Sequence, residues 1–493
     1  MPTWIVDFLM ARLARHSEEG LAKQLTRLIR EAIVAGHFTE ASHGEQGTAR
    51  LPASRELARQ LQLGRNTVIQ AYEQLQAEGY LETRQGAGSF VVPAFLRKPV
   101  PAPVREQPLG LSRRGQTLTS TAVIPDGLSG AFAPGMPEIR QFPHHVWQNL
   151  LSRHQRSTPW PKLGYTVDGG LPALREALAE YLVLSRGVRC TPEQILIISG
   201  AQIGMELSAR LLANQGEVAW VEEPGYAGAH ASLQAAGMDL VAAAVDDEGL
   251  NPDSVQDTRP PRLIYTTPSH QYPLGVVMSL PRRLALLAHA ARCGAWILED
   301  DYDSEFRYNS QPLPALQGLA QDERVIYIGT MSKVMYPGLR IAYMVVPDGL
   351  IDAFRRAHAR LYREPPYVTQ AALADFLLQG HFARHVRRMR ELYQTRQHTL
   401  RSALASSPAH WLPLSSGKAG LHLMAHLPMQ ANEQALSHAA AAQGVVLRPL
   451  ARNYLGLAPQ KGLVLGYAGV NDHEIQHGVA TLARLLQEMP PHD

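Results

Sequence analysis

Five short strand-like runs lack the polar alternation of a sheet with one wet face: Ile195–Ile198, Val218–Val221, Arg262–Tyr265, Ala295–Leu298 and Val325–Ile328. Runs of this kind come from strands covered on both sides. Helical patterns separate them and continue to the end of the chain. The region 124–490 is therefore expected to be α/β, with helices on both faces of a mostly parallel sheet and a small C-terminal subdomain.

A chain of 493 residues exceeds what one core usually serves, and the sequence shows where it divides. Five prolines fall between Pro93 and Pro108, and Arg97, Lys98, Arg105, Arg113 and Arg114 outweigh Glu106. Residues 93–123 read as an extended linker without a fold of its own. At about 3.1 Å per residue in its stiff parts, it is long enough to reach a partner subunit. No 18-residue apolar stretch is present, so no membrane span is expected. The start Met1-Pro2-Thr3-Trp4 lacks the pattern of a signal peptide. The two cysteines, Cys190 and Cys293, lie far apart in sequence, which suits a reducing compartment; a cytoplasmic location is expected. The net charge of +3 does not by itself argue for nucleic acid. No metal site is expected.

Residues 18–92 read as helices followed by a hairpin. Leu21, Leu25, Leu28, Ile29 and Ile33 recur at helical spacing and stop at Gly36. Ser54 is a candidate N-cap for a short helix carrying Leu57, Ala58 and Leu61. Gly64 turns the chain into a second helix with Val68, Ala71, Tyr72 and Leu75 on its apolar face. Tyr80–Arg84 and Ser89–Val92 then form extended runs joined across Gln85–Gly88. Two helices joined by a tight turn let the second lie in a major groove, N-terminal residues toward the bases. Arg65, Asn66 and Thr67 open that helix; arginine pairs with guanine, asparagine with adenine, threonine with phosphate or a thymine methyl. Arg55 is placed to meet phosphate. Gly86 and Gly88 permit close backbone approach at the hairpin tip, with Arg84 beside them. Taken singly, these arginines would read as solvated surface groups. Together, Leu51–Ala58, Leu63–Val68, Leu75–Leu81 and Gln85–Val91 resemble the GntR family of winged-helix regulators. The resemblance implies double-stranded DNA as partner. The loop Thr39–Thr48 is longer than the family's usual connection.

Only six of the 47 basic residues are lysines, so a lysine directly after a buried-looking strand stands out. Lys333 does so, in Thr330-Met331-Ser332-Lys333 followed by Pro337-Gly338-Leu339-Arg340. Glu299-Asp300-Asp301-Tyr302-Asp303 closes another strand, and Asp300 and Tyr302, two apart, face the same way. Ser199-Gly200-Ala201-Gln202 opens a helix after Ile195–Ile198, offering free amides to an anion. These motifs, with Glu223-Pro224-Gly225-Tyr226 and Gly164-Tyr165, resemble the fold-type I aminotransferases that use pyridoxal phosphate, over about residues 125–485. The resemblance implies that Lys333 forms the Schiff base and that Thr330, Ser332, Arg340 and the Gly200, Ala201 and Gln202 turn hold the phosphate. Asp300 would pair with the ring nitrogen, with Asp301 and Asp303 as alternatives, and Tyr302 with the ring oxygen. Tyr226 would stack on the ring, and Tyr165 would reach the phosphate of a second subunit, implying a homodimer.

Two departures bear on function. Tyr272-Pro273-Leu274-Gly275 stands where the family carries Asn-Pro-x-Gly, and Val464 stands where aminotransferases commonly carry an arginine for the substrate carboxylate. Arg448 or Arg452 is the candidate replacement. The whole arrangement resembles the MocR subgroup of GntR regulators, most closely in Leu298–Tyr308. That resemblance implies a transcription regulator sensing an amine, an amino acid or pyridoxal phosphate. Its rivals are a working aminotransferase with an appended DNA module, and a plain repressor whose second domain only dimerises.

Overall fold

A computed structural model describes residues 4–15, 17–38, 49–84, 86–95, 110–120, 130–308, 313–456 and 458–488. The loop 39–48, Gln85 and most of the linker lie outside the described residues. The chain divides into two compact units, Met1–Gly110 and Leu111–Asp493.

In the first unit, helices α1 (Trp4–Met10), α2 (Leu21–Val34), α3 (Ser54–Leu61) and α4 (Arg65–Ala77) precede a hairpin of β1 (Leu81–Arg84) and β2 (Gly88–Val91). The apolar stripe of α2 is buried at Leu25, Leu28, Ile29 and Ile33, against Leu57 and Leu61 of α3 and Val68 and Leu75 of α4. Ile5 and Leu9 of α1 belong to the same core, and Trp4 lies edge-on to Phe38 with ring centroids 4.9 Å apart. The unit thus reaches back beyond the residue 18 that sequence periodicity suggests, because a seven-residue helix is too short to show a pattern. Ser54 is the first helical residue; Ala53 occupies the cap position and makes no side-chain cap bond. Gly64 is the N-cap of α4, as the turn requires.

The second unit is built on an eight-stranded sheet: β3 (Ile195–Ile198), β4 (Val218–Glu223), β5 (Asp239–Asp246), β6 (Gly249–Leu250), β7 (Leu263–Thr266), β8 (Trp296–Asp301), β9 (Val325–Thr330) and β10 (Ala342–Val345). The spatial order is β3-β10-β9-β8-β7-β4-β5-β6. Strands β5, β4, β7, β8 and β9 are parallel; β10 is antiparallel to both neighbours, so β3 runs with the rest. Each of the five apolar runs is a strand of this sheet. Alternate residues of one strand enter different cores: Ile195 and Ile197 pack on one face, Leu196 and Ile198 on the other. Both faces are covered by helices, which is why no polar alternation survives. A three-stranded antiparallel sheet, β11 (His422–Leu427), β13 (Lys461–Gly466) and β12 (Arg448–Pro449), forms the small C-terminal subdomain.

The linker is not wholly without structure. Arg113–Ser120 is a helix, with the Ser112 hydroxyl accepting from the Gly115 amide at 3.1 Å. It lies against helix Ala227–Ala235 of the same unit. The arginine pair disguised it, although Ser112 is a proper cap residue.

Candidate functional site

The site of the second unit forms where the parallel strands end. Lys333 follows β9 by three residues, and its Nζ donates to the Gly135 carbonyl at 3.0 Å. Gly135 has φ +72°, which other residues rarely adopt, and a Cβ there would sit 2.7 Å from Nζ, so a larger residue would be strained and would push the amine aside. Burial lowers the Lys333 pKa below that of an ordinary lysine; Asp303 and Asp300 oppose the shift and Arg448 adds to it. A lowered pKa leaves more free amine at neutral pH, as a lysine nucleophile needs.

The three aspartates of β8 and its exit differ in their partners. Asp301 accepts from Arg186 Nε at 2.7 Å and from the Tyr327 hydroxyl at 2.6 Å, and those partners hold its pKa below the ordinary range despite burial. Asp303 faces His270 Nδ1 at 3.0 Å. Asp300 accepts only from the Tyr265 hydroxyl, at 2.8 Å. Buried Oδ1 atoms of both Asp300 and Asp301 lack partners, but Asp301 is already paired with a cation and Asp300 is not. Burial, helped by the charges of Asp301 and Glu222, pushes the Asp300 pKa up to about 7. An orphaned buried acceptor without a cation partner has room for an N–H donor.

Gly200, with φ +120°, leads into helix Ala201–Leu212. The Ile203 amide is taken by the Gly200 carbonyl, leaving those of Ala201 and Gln202 without helix-internal acceptors. Arg340, itself left-handed at φ +53°, brings its guanidinium within 3.1 Å of where a Gly200 Cβ would stand. Two amides and a guanidinium thus converge as an anion cup. The Gln202 side chain bonds the Gly228 carbonyl at 3.3 Å, so its contribution is main-chain. The Thr330 hydroxyl accepts from the Ser332 amide at 3.2 Å, at the exit of β9. Tyr226 folds over the first turn of its own helix; a Cβ at Gly228 would lie 2.3 Å from its ring. Its ring meets Tyr272 edge-on, with centroids 6.1 Å apart. Tyr165 is 86% exposed beneath the Arg363 guanidinium, whose carbon is 4.9 Å from the ring centroid.

The two candidate arginines separate clearly. Val464 is fully buried with Met424 and Leu450, and Tyr272 packs on this cluster. Arg448 is registered directly opposite Val464 in the β12–β13 ladder. Opposed residues point to the same face, so the cation stands one strand over from the expected position. Arg448 acts electrostatically on Lys333, Tyr226 and His422, and among the described residues it has no carboxylate partner. Arg452 is exposed on a 3-10 turn. Sequence reasoning missed Tyr265, Gly135 and Gly228, each of which reads as ordinary core or turn.

In the first unit, Arg55 of α3 is exposed, and at the start of α4 Arg65 and Asn66 are exposed and Thr67 half-buried. Among the described residues neither Arg55 nor Arg65 enters an ion pair. Gly86 and Gly88 have φ +76° and +106° at the hairpin tip. Arg84 is held by Glu82 at 2.6 Å and lies over the Phe90 ring; so exposed a pair is weak enough to yield to phosphate. Arg50 was not anticipated. The segment Ala49–Leu51 pairs alongside β2, and the Arg50 guanidinium comes within about 3.2 Å of a Cβ placed on Gly88.

Comparison with known proteins accounts for both units. Residues 21–91 match the bacterial regulatory proteins of the gntR family, and residues 145–482 match aminotransferase class I and II. The chain is 41% identical over 483 residues to the probable rhizopine catabolism regulatory protein MocR of Rhizobium meliloti, covering 96% of this chain and 95% of the relative. It belongs to the MocR group of GntR-family regulators. A second relative, the HTH-type pyridoxine biosynthesis transcriptional regulator PdxR of Corynebacterium glutamicum, is 30% identical over 469 residues, covering 95% of this chain and 96% of the relative. Among solved structures, kynurenine aminotransferase of Pyrococcus horikoshii, in complex with PMP, superposes with a TM-score of 0.68 at 25% identity, covering 77% of this chain and 95% of that one. LysN of Thermus thermophilus, an α-aminoadipate aminotransferase complexed with N-(5'-phosphopyridoxyl)-L-leucine, gives 0.67 at 27% identity, covering 73% and 92%. The MocR architecture thus places a gntR-type helix-turn-helix ahead of a complete aminotransferase fold. Among the described residues no helix is long and apolar enough to cross a membrane.

Proposed function

We propose that this MocR-type chain is a DNA-binding transcription regulator whose aminotransferase-like unit holds pyridoxal phosphate and senses an amine. The orphaned Asp300 Oδ1 carries the cofactor reading, since a protonated pyridine nitrogen is the donor it lacks. Arg340, Gly200, Ala201 and Gln202 would take the phosphate, Tyr226 the ring face and Tyr302 the ring oxygen. When bound, the cofactor supplies an aldehyde to which amines attach reversibly. The chain's own residues do the rest: burial lowers the Lys333 pKa, Asp300 would keep a proton on the ring nitrogen, and Tyr226 and Tyr272 wall the cleft. The exposed Tyr165 supports a homodimer with sites completed across the interface.

An effector acts by binding two arrangements of the protein unequally, and the shift is limited by that difference. The test is operator binding by the full chain, with and without pyridoxal phosphate and a panel of amines. Arg65→Ala is expected to weaken specific binding by about 1–3 kcal/mol without altering the amine response. Unchanged operator affinity would remove Arg65 from base reading, and an amine-indifferent isotherm would remove the sensing role. Steady turnover of an amino acid with an oxo acid would favour the enzyme instead.

The Arg448 cation, which has no carboxylate partner among the described residues, supports an effector bearing a carboxylate. Arg448→Ala should weaken carboxylated amines by roughly tenfold or more, the scale of a charged hydrogen bond, while sparing amines without a carboxylate. Equal losses in both series would mean that Arg448 does not contact the effector's acid group.

A further inference from the structure

Behind Tyr302 lies a buried polar cluster that the cofactor reading does not use. His270, 1% exposed, presents Nδ1 to three oxygens: Asp303 Oδ2 at 3.0 Å, Asp303 Oδ1 at 3.2 Å and the Tyr302 hydroxyl at 3.0 Å. Its Nε2 is buried and meets no partner. A ring nitrogen either bears a hydrogen or accepts one, and the surroundings decide which. With hydrogen on Nε2 alone, a buried donor would be stranded and a lone pair would face a carboxylate; both are costly. With hydrogen on Nδ1, the carboxylate is satisfied and the orphan is only an acceptor. A Tyr302 hydroxyl beside Nδ1–H cannot donate toward it, so its hydrogen must point elsewhere.

The imidazole is held in place from the small subdomain. A Cβ on Gly420 would fall 1.8 Å from His270 Cε1, so this glycine lies flat against the ring. The Gly420 carbonyl accepts from the Tyr308 hydroxyl at 2.9 Å and the Tyr467 hydroxyl at 2.6 Å, and its amide donates to the Phe306 carbonyl at 2.7 Å. His422 lies 4.8 Å from His270 between ring centroids and bonds the Pro273 carbonyl at 3.0 Å.

We propose that His270 is a positioning residue: anchored by Asp303 and clamped by Gly420, it turns the Tyr302 hydroxyl into an obligatory donor toward the cofactor's ring oxygen. The proposal rests on the pyridoxal phosphate reading above. Burial above all, and then the charges of Asp303, Tyr272, Asp300 and Glu222, raise the Tyr302 pKa well above that of an ordinary tyrosine, so the hydroxyl stays protonated. A donor to the ring oxygen favours the form in which that oxygen is most negative. Removing it moves the pH midpoint of the bound cofactor's colour change upward.

The experiment is a pH titration of the visible spectrum of the full chain loaded with pyridoxal phosphate. His270→Leu should raise the midpoint by about one pH unit, and His270→Asn, whose amide nitrogen can occupy the Nδ1 position, should restore most of it. Tyr302→Phe should produce the same shift, and His270→Leu should add nothing in that background. Additive shifts, or a His270→Leu midpoint equal to wild type, overturn the proposal. Should His270→Leu fail to fold, nitrogen-15 NMR of histidine-labelled wild type decides: Nδ1 protonated and Nε2 bare supports it, the reverse tautomer ends it. A wild-type chain that takes up no colour sinks the cofactor reading and this inference together; a coloured one with an unmoved variant sinks this inference alone.

Discussion

Lys333→Ala is expected to abolish covalent retention of pyridoxal phosphate and, with it, every amine-dependent change in operator binding. In wild type, borohydride reduction should fix the cofactor to a single peptide containing Lys333. The argument starts from the amine itself. A solvated lysine is almost wholly protonated at neutral pH, whereas Lys333 is enclosed beside Gly135 and its pKa is lowered by burial and by Arg448. Asp303 and Asp300 pull the other way, so Arg448→Ala should also slow cofactor uptake by raising the proton affinity of Nζ. The variant keeps the anion cup and Asp300, so non-covalent binding should persist in weakened, dialysable form. Labelling at another of the six lysines would displace Lys333 from its role. Undiminished effector response in Lys333→Ala would show that sensing bypasses the lysine.

What the sequence disclosed, and what it hid, follows from how far each contact reaches along the chain. The five apolar runs and the turn at Gly64 are local patterns, and each lies where periodicity puts it. Lys333 was conspicuous because lysine is rare in this chain and because a strand precedes it. Its acceptor Gly135 is 198 residues away and looks like any turn glycine. Tyr265 sits in an apolar strand, where a tyrosine reads as core until its hydroxyl is seen on Asp300. What separates Arg448 from Arg452 is a ladder between two strands that no local pattern pairs: Arg448 lies opposite Val464, and this supports it as the candidate. The choice among Asp300, Asp301 and Asp303 likewise turned on partners distant in sequence, Tyr265, Arg186 and His270.

The aspartate that does not face the cleft supplies the largest expected stability effect. Arg186 and Asp301 are both buried, 2.7 Å apart, and Arg186 also donates to the Ser269 hydroxyl at 2.6 Å. Arg186→Met keeps the volume and removes the cation, leaving a buried carboxylate with only the neutral hydroxyls of Tyr327 and Ser304. Breaking such a pair from one side costs about 3–5 kcal/mol, seen as a lower urea midpoint for the aminotransferase unit. The pH dependence carries the sign. In wild type the Asp301 pKa is depressed by Arg186 and Tyr327, so its stabilisation is present above the unfolded carboxylate pKa and is lost as pH falls through the lower folded value. Without Arg186 the folded pKa should lie above the unfolded one. The penalty of the variant is then greatest at pH 8 and shrinks as acid protonates Asp301, the opposite of ordinary acid destabilisation. Adding Asp301→Asn should recover part of the loss, because a neutral amide tolerates burial better than an unpaired charge. A defect in Arg186→Met that is independent of pH would mean the guanidinium contributes packing alone, and that Asp301 is not held as a buried charge.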